Sequence, residues 1–267
     1  MNEPVVVLAP NPSLFTGKGT NTYLVGSDQL LCIDPGPDDD SHLAAILDIV
    51  AQRDGRIATI LLTHSHPDHR PLARRLAAAT GAAVRALDIA LGDDGASTLV
   101  HNEAIRGGEA TSLRAVHTPG HASDHLCFFD EDSGALYTGD HVLSGMTTVI
   151  SPPDGDMTAY MASLLRIRDL RPSVIHPGHG PRVDDAAALI DDYIVHRRER
   201  EAQVERVARS RGTRIAPADL VPEIYAGYPE GLHELAARSV EAHLDKLARE
   251  GRATRVEVNG RPHYTIE

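Results

Sequence analysis

The order of apolar and polar positions over the first 63 residues predicts three short strands, a helix and a buried strand. The runs "PVVVLAP", "NTYLVGS" and "LLCIDPG" are apolar and are separated by turn-forming residues, which is typical of strands. Residues 42–53 carry apolar side chains at helical spacing, and we expect Ser41 to cap this helix and Gly55 to end it. Residues 57–63, "IATILLT", are apolar on both faces and predict a buried central strand.

Beyond residue 70 the pattern continues as alternating helices and strands. In chain order we predict a helix over 71–79 stopped by Gly81, a strand over 82–87, an exposed loop over 92–98, strands over 112–117, 125–130 and 135–138, a helix from Asp156 to Leu170 and a strand over 173–176. Strands that alternate with helices indicate an α/β fold.

The pattern changes in the last third of the chain. A long charged helix is predicted from Asp184 to Ser210, then an amphipathic helix over 234–251, then a hairpin over 252–267. The Asn259-Gly260 pair suits a type I′ turn in that hairpin. Helix, helix and two-stranded wing is the order of a winged helix. We therefore predict a catalytic domain over 1–204 and a winged-helix-like domain over 205–267.

Composition narrows the class of partner. The formal net charge of the 267 residues is −12, which gives no overall field to attract nucleic acid. The seven arginines of the long charged helix and its C-terminal flank are interleaved with glutamates, so we expect a salt-bridged, solvated helix rather than an RNA track. There is no basic leader and no apolar run of membrane-spanning length, so we expect a cytoplasmic protein with no membrane partner. The two cysteines, Cys32 and Cys127, lie in apolar runs and are expected to be buried thiols.

One short stretch concentrates ligand-type side chains. In "LLTHSHPDHR", His64 and His66 are two positions apart at a strand end, so both imidazoles can face one metal ion. Pro67 bends the chain, and Asp68 and His69 can face a second point nearby. Imidazole and carboxylate donors without a thiolate suit Zn²⁺, with Mn²⁺ and Fe²⁺ as alternatives.

Three further candidate ligands each follow a strand-like run and stand near glycine, namely His121, Asp140 and His179. A glycine beside a ligand lets the backbone approach the metal. We assign His64, His66 and His121 to the first of two sites. We assign Asp68, His69 and His179 to the second. Asp140 bridges the two sites, because a carboxylate has two oxygens.

The HxHxDH motif, the distal histidine, the "GD" aspartate and the "PGHG" histidine together resemble the metallo-β-lactamase fold superfamily over about residues 5–200. The resemblance implies a four-layer αβ/βα sandwich with a dinuclear site at one edge. "GKGTNTYLVG", "IDPGP", "PPDGDM" and "YIVHRRERE" are similar to its lactamase-beta-like subgroup, which includes an endoribonuclease acting on single-stranded RNA. The chain departs from the family where Arg70-Pro71 replaces glycines.

The resemblance also implies supporting residues. Asp34 corresponds to a family aspartate that orients a metal-bound histidine, in keeping with the way partners of metal ligands act. We expect His125 and His141 to lie beside the ligands as further supporting residues.

Two metal ions that share a water molecule lower its pKa, and Asp68 would orient that water and accept its proton. We therefore predict hydrolysis of an ester-like bond (phosphodiester, thioester, carboxyl ester or lactam) in a small molecule or in single-stranded RNA. A thioesterase resembling hydroxyacylglutathione hydrolase is one alternative. A nucleic-acid-binding module with a vestigial hydrolase fold is another. The C-terminal domain can also be interpreted as a lid or as the contact surface of a homodimer.

Overall fold

The structure is a computed structural model, and it describes residues 3–87, 97–108, 111–212 and 214–267. Its packing divides the chain into two compact units. The first unit comprises Met1–Thr118, Asp124–Thr148 and Arg166–Leu189. The second comprises Pro119–Ser123, Val149–Leu165 and Ile190–Glu267.

The first unit is built on two β-sheets. The first sheet has, in spatial order, β1 (Val5–Leu8), β2 (Asn21–Val25), β3 (Gln29–Ile33), β4 (Arg56–Leu61), β5 (Ala83–Ala86) and β6 (Ser97–Thr98). Its first three strands are antiparallel and its last four are parallel. Helices α1 (Asp40–Gln52) and α2 (Ala73–Thr80) connect the parallel strands.

The second sheet runs in the order β11, β10, β9, β8, β7. Its strands are β7 (Ala104–Arg106), β8 (Ser112–His117), β9 (Leu126–Asp130), β10 (Ala135–Gly139) and β11 (Val174–Pro177). All neighbours are antiparallel except β10 and β11, which are parallel. Parallel neighbouring strands end at the same edge of their sheet. The segment after β3 therefore lies beside the segment after β4, and the segment after β10 lies beside the segment after β11.

Alternation along the strands separates two apolar cores. Tyr23, Leu31 and Leu61 point toward the second sheet and pack with Phe128 and Tyr137. The intervening residues of the same strands, such as Leu24, Leu30, Cys32 and Ile60, point the other way. They pack with Ile46 of α1 and Leu76 of α2. Strands covered on both faces are apolar throughout, which explains the continuous run at 57–62.

The second unit contains the C-terminal elements. Helices α3 (Met157–Asp169) and α4 (Ala186–Arg211) contribute residues to both units. They are followed by α5 (Pro217–Ile224), a 3₁₀ helix over Glu230–Leu232, α6 (His233–Arg249), β12 (Ala253–Val258) and β13 (Arg261–Ile266). Their apolar side chains form one core, which includes Val204, Leu220, Val240, Leu244 and Tyr264.

The predicted hairpin turn is confirmed, since φ is 52° at Asn259 and 71° at Gly260, as a type I′ turn requires. The predicted domain boundary between residues 204 and 205 falls inside α4. By packing, Leu189 falls in the first unit and Ile190 in the second, and the predicted domain boundary stays a prediction.

Three local predictions differ from the structure. The cap of α1 is Asp39 rather than Ser41, because the Asp39 carboxylate accepts the N–H of His42 at 2.9 Å and its backbone is extended. Ser41 instead donates its hydroxyl to Asp39. Within the predicted loop over 92–98, Ser97 and Thr98 form β6, and residues 92–96 lie outside the described part of the chain. Strand β7 was not predicted, because three residues are too few to show an alternation.

The buried state predicted for both cysteines is confirmed, with Cys32 and Cys127 each 0% exposed. Among the helices of the described residues, none is both long enough and apolar enough to cross a membrane.

A buried histidine in the second unit makes the stability of that unit sensitive to acid. His243 of α6 is 1% exposed, and burial lowers its pKa to about 4 even though Glu201 of α4 lies 3.9 Å away. An unfolded histidine has a pKa of about 6.5. Between these two values the unfolded chain binds the proton and the folded chain does not, so stability is lost as the pH falls from about 6.5 to 4.

We therefore expect His243→Leu to flatten the acid limb of the stability curve. Between pH 7 and pH 5 the parent should lose about 2 kcal/mol more unfolding free energy than the variant, from the size of the pKa shift. Urea unfolding followed by circular dichroism at both pH values measures this. The matched control is His233→Leu at the start of the same helix. Equal acid sensitivity in the parent and in His243→Leu would contradict the assignment.

Candidate metal centre

Two overlapping groups of donor atoms form at the edge where the paired strands end. One ligand atom each from His64, His66 and Asp140 lie within 4.8 Å of one another. The same holds for Asp68, His69, Asp140 and His179. Asp140 belongs to both groups, which is the arrangement that a bridging carboxylate requires.

The donor atoms within each group lie close together, although each of these side chains can offer a lone pair to a metal ion. Nε2 of His64 lies 3.0 Å from Nδ1 of His66. Oδ1 of Asp140 lies 3.3 Å from Nε2 of both His69 and His179. Oδ2 of Asp68 lies 3.1 Å from His179 Nε2. A compact set of nitrogen and oxygen donors matches the ligand preferences of Zn²⁺, Mn²⁺ and Fe²⁺.

In the group formed by Asp68, His69, Asp140 and His179, the pKa shifts show that a bound cation would replace protons on the histidines. Burial alone would lower the pKa of His69, but Asp140 and Asp34 outweigh it and raise that pKa well above its ordinary value. Burial would also lower the pKa of His179, but hydrogen bonds to Asp140 and Asp68 outweigh it and raise that pKa to about 9. Burial would raise the pKa of Asp140, but His69 and His179 hold it well below its ordinary value. Protons on the imidazoles thus neutralise the negative charge of the carboxylates, which bound cations would otherwise neutralise.

Hydrogen bonds at the opposite ring nitrogen orient three of these imidazoles. Nδ1 of His179 donates to the carbonyl of Gly19 at 3.2 Å, and Nδ1 of His69 donates to Oδ2 of Asp34 at 2.8 Å. Nδ1 of His64 lies 2.9 Å from Oγ1 of Thr63. Because a carbonyl or carboxylate oxygen can only accept, Nδ1 of His69 and His179 carries hydrogen and Nε2 is the ligand atom.

Asp34 helps to orient two of these imidazoles, His69 directly and His64 through Thr63. Its carboxylate accepts the backbone N–H of Thr63 at 2.8 Å and the Thr63 hydroxyl at 2.7 Å, besides the His69 ring. The Thr63 hydroxyl donates to Asp34 and so accepts from His64. Asp34 has φ of 49°, a left-handed conformation that is costly for a residue with a side chain and that persists only where the surroundings enforce it. Sequence reasoning found Asp34 but missed Thr63.

Asp140 is positioned from behind by the predicted supporting residue His125. The Asp140 backbone N–H donates to Nε2 of His125 at 3.2 Å, and Nδ1 of His125 lies 2.9 Å from the Thr118 hydroxyl. Glycine is required nearby, since a Cβ on Gly178 would stand 2.7 Å from Oδ1 of Asp140. Glycine therefore allows the backbone to approach the Asp140 carboxylate, whereas its predicted role in approach to a metal ion stays a prediction.

His141 is buried and lies near His125, with ring centroids 5.8 Å apart. Its carbonyl accepts the Thr148 hydroxyl at 3.2 Å. His141 therefore lies beside another predicted supporting residue, and its own supporting role stays a prediction. Arg70, the departure from the family pattern, is half-buried and follows the His66–His69 turn.

His121 belongs to the second unit, in the segment Pro119–Ser123. Its Nδ1 donates to the carbonyl of Val149 at 2.7 Å, so its Nε2 carries the lone pair. The orientation is the one found for His69 and His179, and the ligand role of His121 stays a prediction.

One observation tests whether the residues of the first unit fit a metal ion. Nε2 of His69 is buried and, within the described ranges, has no partner in hydrogen-bonding alignment. It faces the carboxylates of Asp68 and Asp140 at 3.5 and 3.3 Å. A buried donor atom of this kind costs free energy unless something binds it. The residues therefore fit divalent cations.

Comparisons with known proteins match most of the chain. A family model described as the metallo-beta-lactamase superfamily matches residues 15–179, and one described as the beta-lactamase associated winged helix domain matches residues 216–261. The chain is 34% identical over 262 residues to a Drosophila melanogaster protein named beta-lactamase-like protein 2 homolog, covering 92% of this chain and 88% of that protein.

Two further similarities concern one relative and one solved structure. A Passalora fulva protein named atrochrysone carboxyl ACP thioesterase is 32% identical over 252 residues, covering 91% of this chain and 73% of that protein. The crystal structure of a metallo-beta-lactamase family protein from Thermus thermophilus superposes with a TM-score of 0.81 at 20% identity, covering 99% of this chain and 98% of that chain. The predicted α/β fold with a C-terminal winged helix is confirmed.

Asp34 provides the sharpest test of this geometry. In Asp34→Asn, Oδ1 still accepts the Thr63 N–H, but an amide N–H₂ group replaces the oxygen that fixes the His69 ring. We expect Zn²⁺ affinity to fall by about 10- to 100-fold, the usual effect of losing a partner of a metal-bound histidine. Competition titration with a chromophoric chelator measures it.

The control is Asp130→Asn. Asp130 is also buried, but its carboxylate serves the turn at Asp132 and Ser133. Parent-like Zn²⁺ affinity in Asp34→Asn would show that the His69 orientation does not depend on this carboxylate.

Proposed function

The chain belongs to the metallo-beta-lactamase superfamily, and we propose that it is a two-metal thioester hydrolase. The observation that carries the proposal is the sharing of Asp140 between two groups of donor atoms. We propose that His64, His66 and His121 hold one ion, that Asp68, His69 and His179 hold the other, and that Asp140 bridges them. Zinc is the proposed metal, with manganese and iron as alternatives.

Two ions bound there would supply Lewis acidity that lowers the pKa of water and polarises the scissile carbonyl. The chain's own residues do the positioning. Asp34 holds the His69 ring at Nδ1, and His125 holds the backbone of Asp140. The active arrangement therefore exists before substrate arrives, which is how enzymes limit reorganisation during reaction.

Asp68 is the proposed proton acceptor. Burial would raise the pKa of its carboxyl, but the hydrogen bond with His179 and the charge of His69 hold that pKa below its ordinary value. The group is therefore ionised near neutral pH. Its side chain is 26% exposed, so incoming water can reach it. A general base needs both properties.

The name of the Passalora fulva relative, a carboxyl ACP thioesterase, supports a thioester substrate. Three of the arginines around α4 support it as well, because phosphodiester binding needs available cations. Arg209 pairs with Glu205 at 3.2 Å, and Arg211 pairs with Glu223 at 3.0 Å. Arg200 stands over the Tyr225 ring and donates to a backbone carbonyl. These pairings also weigh against a nucleic-acid-binding role for the winged-helix unit.

A panel of substrates tests the proposal. Protein loaded with Zn²⁺ or Mn²⁺ is given acyl thioesters of coenzyme A and of N-acetylcysteamine, bis(p-nitrophenyl) phosphate, and a fluorescent single-stranded RNA. We expect released thiol from the thioesters and little cleavage of the two phosphodiesters. Removal of metal by a chelator should abolish turnover, and re-addition should restore it.

His66→Ala and Asp140→Ala should lower kcat by at least about 10³-fold, because each removes a ligand from the reacting centre. The control variant is His263→Ala in the C-terminal hairpin, which should turn over like the parent. RNA cleavage without thioester turnover would replace the proposed substrate class. Full activity in His66→Ala or Asp140→Ala would refute the two-metal mechanism.

A further inference from the structure

We propose that Asp156 and Arg249 are positioning residues for His121, through which the last helix of the winged-helix unit holds the segment Pro119–Ser123. The inference rests on the proposed function only in taking His121 as a metal ligand. All the contacts that support it lie within the second unit.

Hydrogen bonds attach the His121 segment to the start of α3 and the loop before it. The Pro119 carbonyl accepts the Ser163 hydroxyl at 2.8 Å, and the Gly120 carbonyl accepts the Asp156 N–H at 2.8 Å. The Ser123 N–H donates to Oδ1 of Asp154 at 3.2 Å. With the bond from His121 to Val149, residues 149–163 bind the segment at four points.

Gly120 allows this attachment to be close. Its φ is 139°, and a Cβ at this position would stand 2.3 Å from the Cα of Tyr160. No other residue fits without movement of α3 or of the segment. The backbone beside His121 therefore lies directly against α3, so a displacement at the start of α3 is transmitted to the His121 ring.

Asp156 connects three elements through different atoms. Its backbone N–H holds Gly120, and its Oδ1 caps α3 by accepting the N–H groups of Thr158 at 2.8 Å and Ala159 at 3.1 Å. Its Oδ2 pairs with a guanidinium nitrogen of Arg249. Capping alone does not need a charge or the second oxygen, so the ion pair is a separate function of this side chain.

Arg249 is the last residue of α6. That helix is fixed in the winged-helix core by Val240, Leu244 and Leu247, which are all fully buried. The Arg249 side chain itself is 56% exposed, so its removal leaves no cavity. The ion pair therefore ties the loop before α3 to a helix anchored in the core, and its loss should loosen the loop without unfolding the unit.

Substitutions at Asp156 and Arg249 can remove the ion pair without removing the helix cap or the apolar core. Asp156→Asn keeps the cap, because asparagine caps helices as well as aspartate does, but it loses the ionic partner of Arg249. Arg249→Met keeps the aliphatic stem, and Arg249→Lys keeps the charge. Arg238→Met is the matched control, since Arg238 is on the same helix, is 48% exposed and pairs with Glu241.

The first measurement is made without metal. Amide hydrogen exchange in residues 120–123 and at residue 156 should become faster in Asp156→Asn and Arg249→Met, and remain unchanged in Arg238→Met. The second is a titration with Co²⁺ followed by visible absorption. Both variants should bind Co²⁺ about threefold to fivefold more weakly, the effect expected from a partly exposed ion pair. Arg249→Lys should recover most of the loss, and the double variant should be no weaker than either single variant.

Unchanged exchange and unchanged Co²⁺ affinity in both single variants would overturn the inference, as would additive losses in the double variant. His121→Ala separates this failure from failure of the proposed function. If His121→Ala weakens Co²⁺ binding while the pair variants do not, only the positioning role is wrong. If His121→Ala still binds two Co²⁺ ions with the parent affinity, the assigned ligand set is wrong and the inference falls with it.

Discussion

The carboxylate of Asp34 is the contact on which the rest of the metal centre depends. It accepts the backbone N–H and the hydroxyl of Thr63 and the ring N–H of His69. Strands β3 and β4 are parallel neighbours, so Asp34 and Thr63 meet because both follow the same edge of the sheet. One buried carboxylate thus connects the sheet to one ligand group through Thr63 and His64, and to the other through His69. The left-handed backbone at Asp34 is the conformational cost of placing it there.

The candidate ligands could be predicted from the sequence because most are local or follow strand ends. His64, His66, Asp68 and His69 lie within six positions, and Asp140 and His179 follow β10 and β11, which are parallel neighbours. Their supporting contacts could be predicted only in part. Asp34 was found through the family resemblance and His125 through its place near His121, whereas the carbonyls of Gly19 and Val149 belong to the backbone and have no residue type that would reveal them. Thr63 was missed because threonine is common at the end of a buried strand.

The same reasoning explains which features of the fold could not be predicted. Asp39 and Ser41 are both good helix caps, and only the path of the chain after Pro37 determines which carboxylate or hydroxyl reaches the His42 N–H. The boundary of the second unit is a longer-range problem. The segment Pro119–Ser123 packs with α3, although it lies between two strands of the first unit. No local pattern carries that information, because the attachment depends on backbone atoms and on the small size of Gly120.

The metal-binding side chains do not determine which ester-like substrate is hydrolysed, so the residues around them must determine it. A pair of divalent ions can activate water against a thioester or a phosphodiester. A polyanionic substrate needs cations whose charge is available, and its binding releases counterions in proportion to the phosphates neutralised. Arg209 and Arg211 already face Glu205 and Glu223, so binding RNA there would first have to break these pairs. The reacting carbonyl of a thioester carries no formal charge, so the reacting group itself requires no such exchange. The net charge of −12 therefore adds to the case for our proposal of a thioester over a phosphodiester.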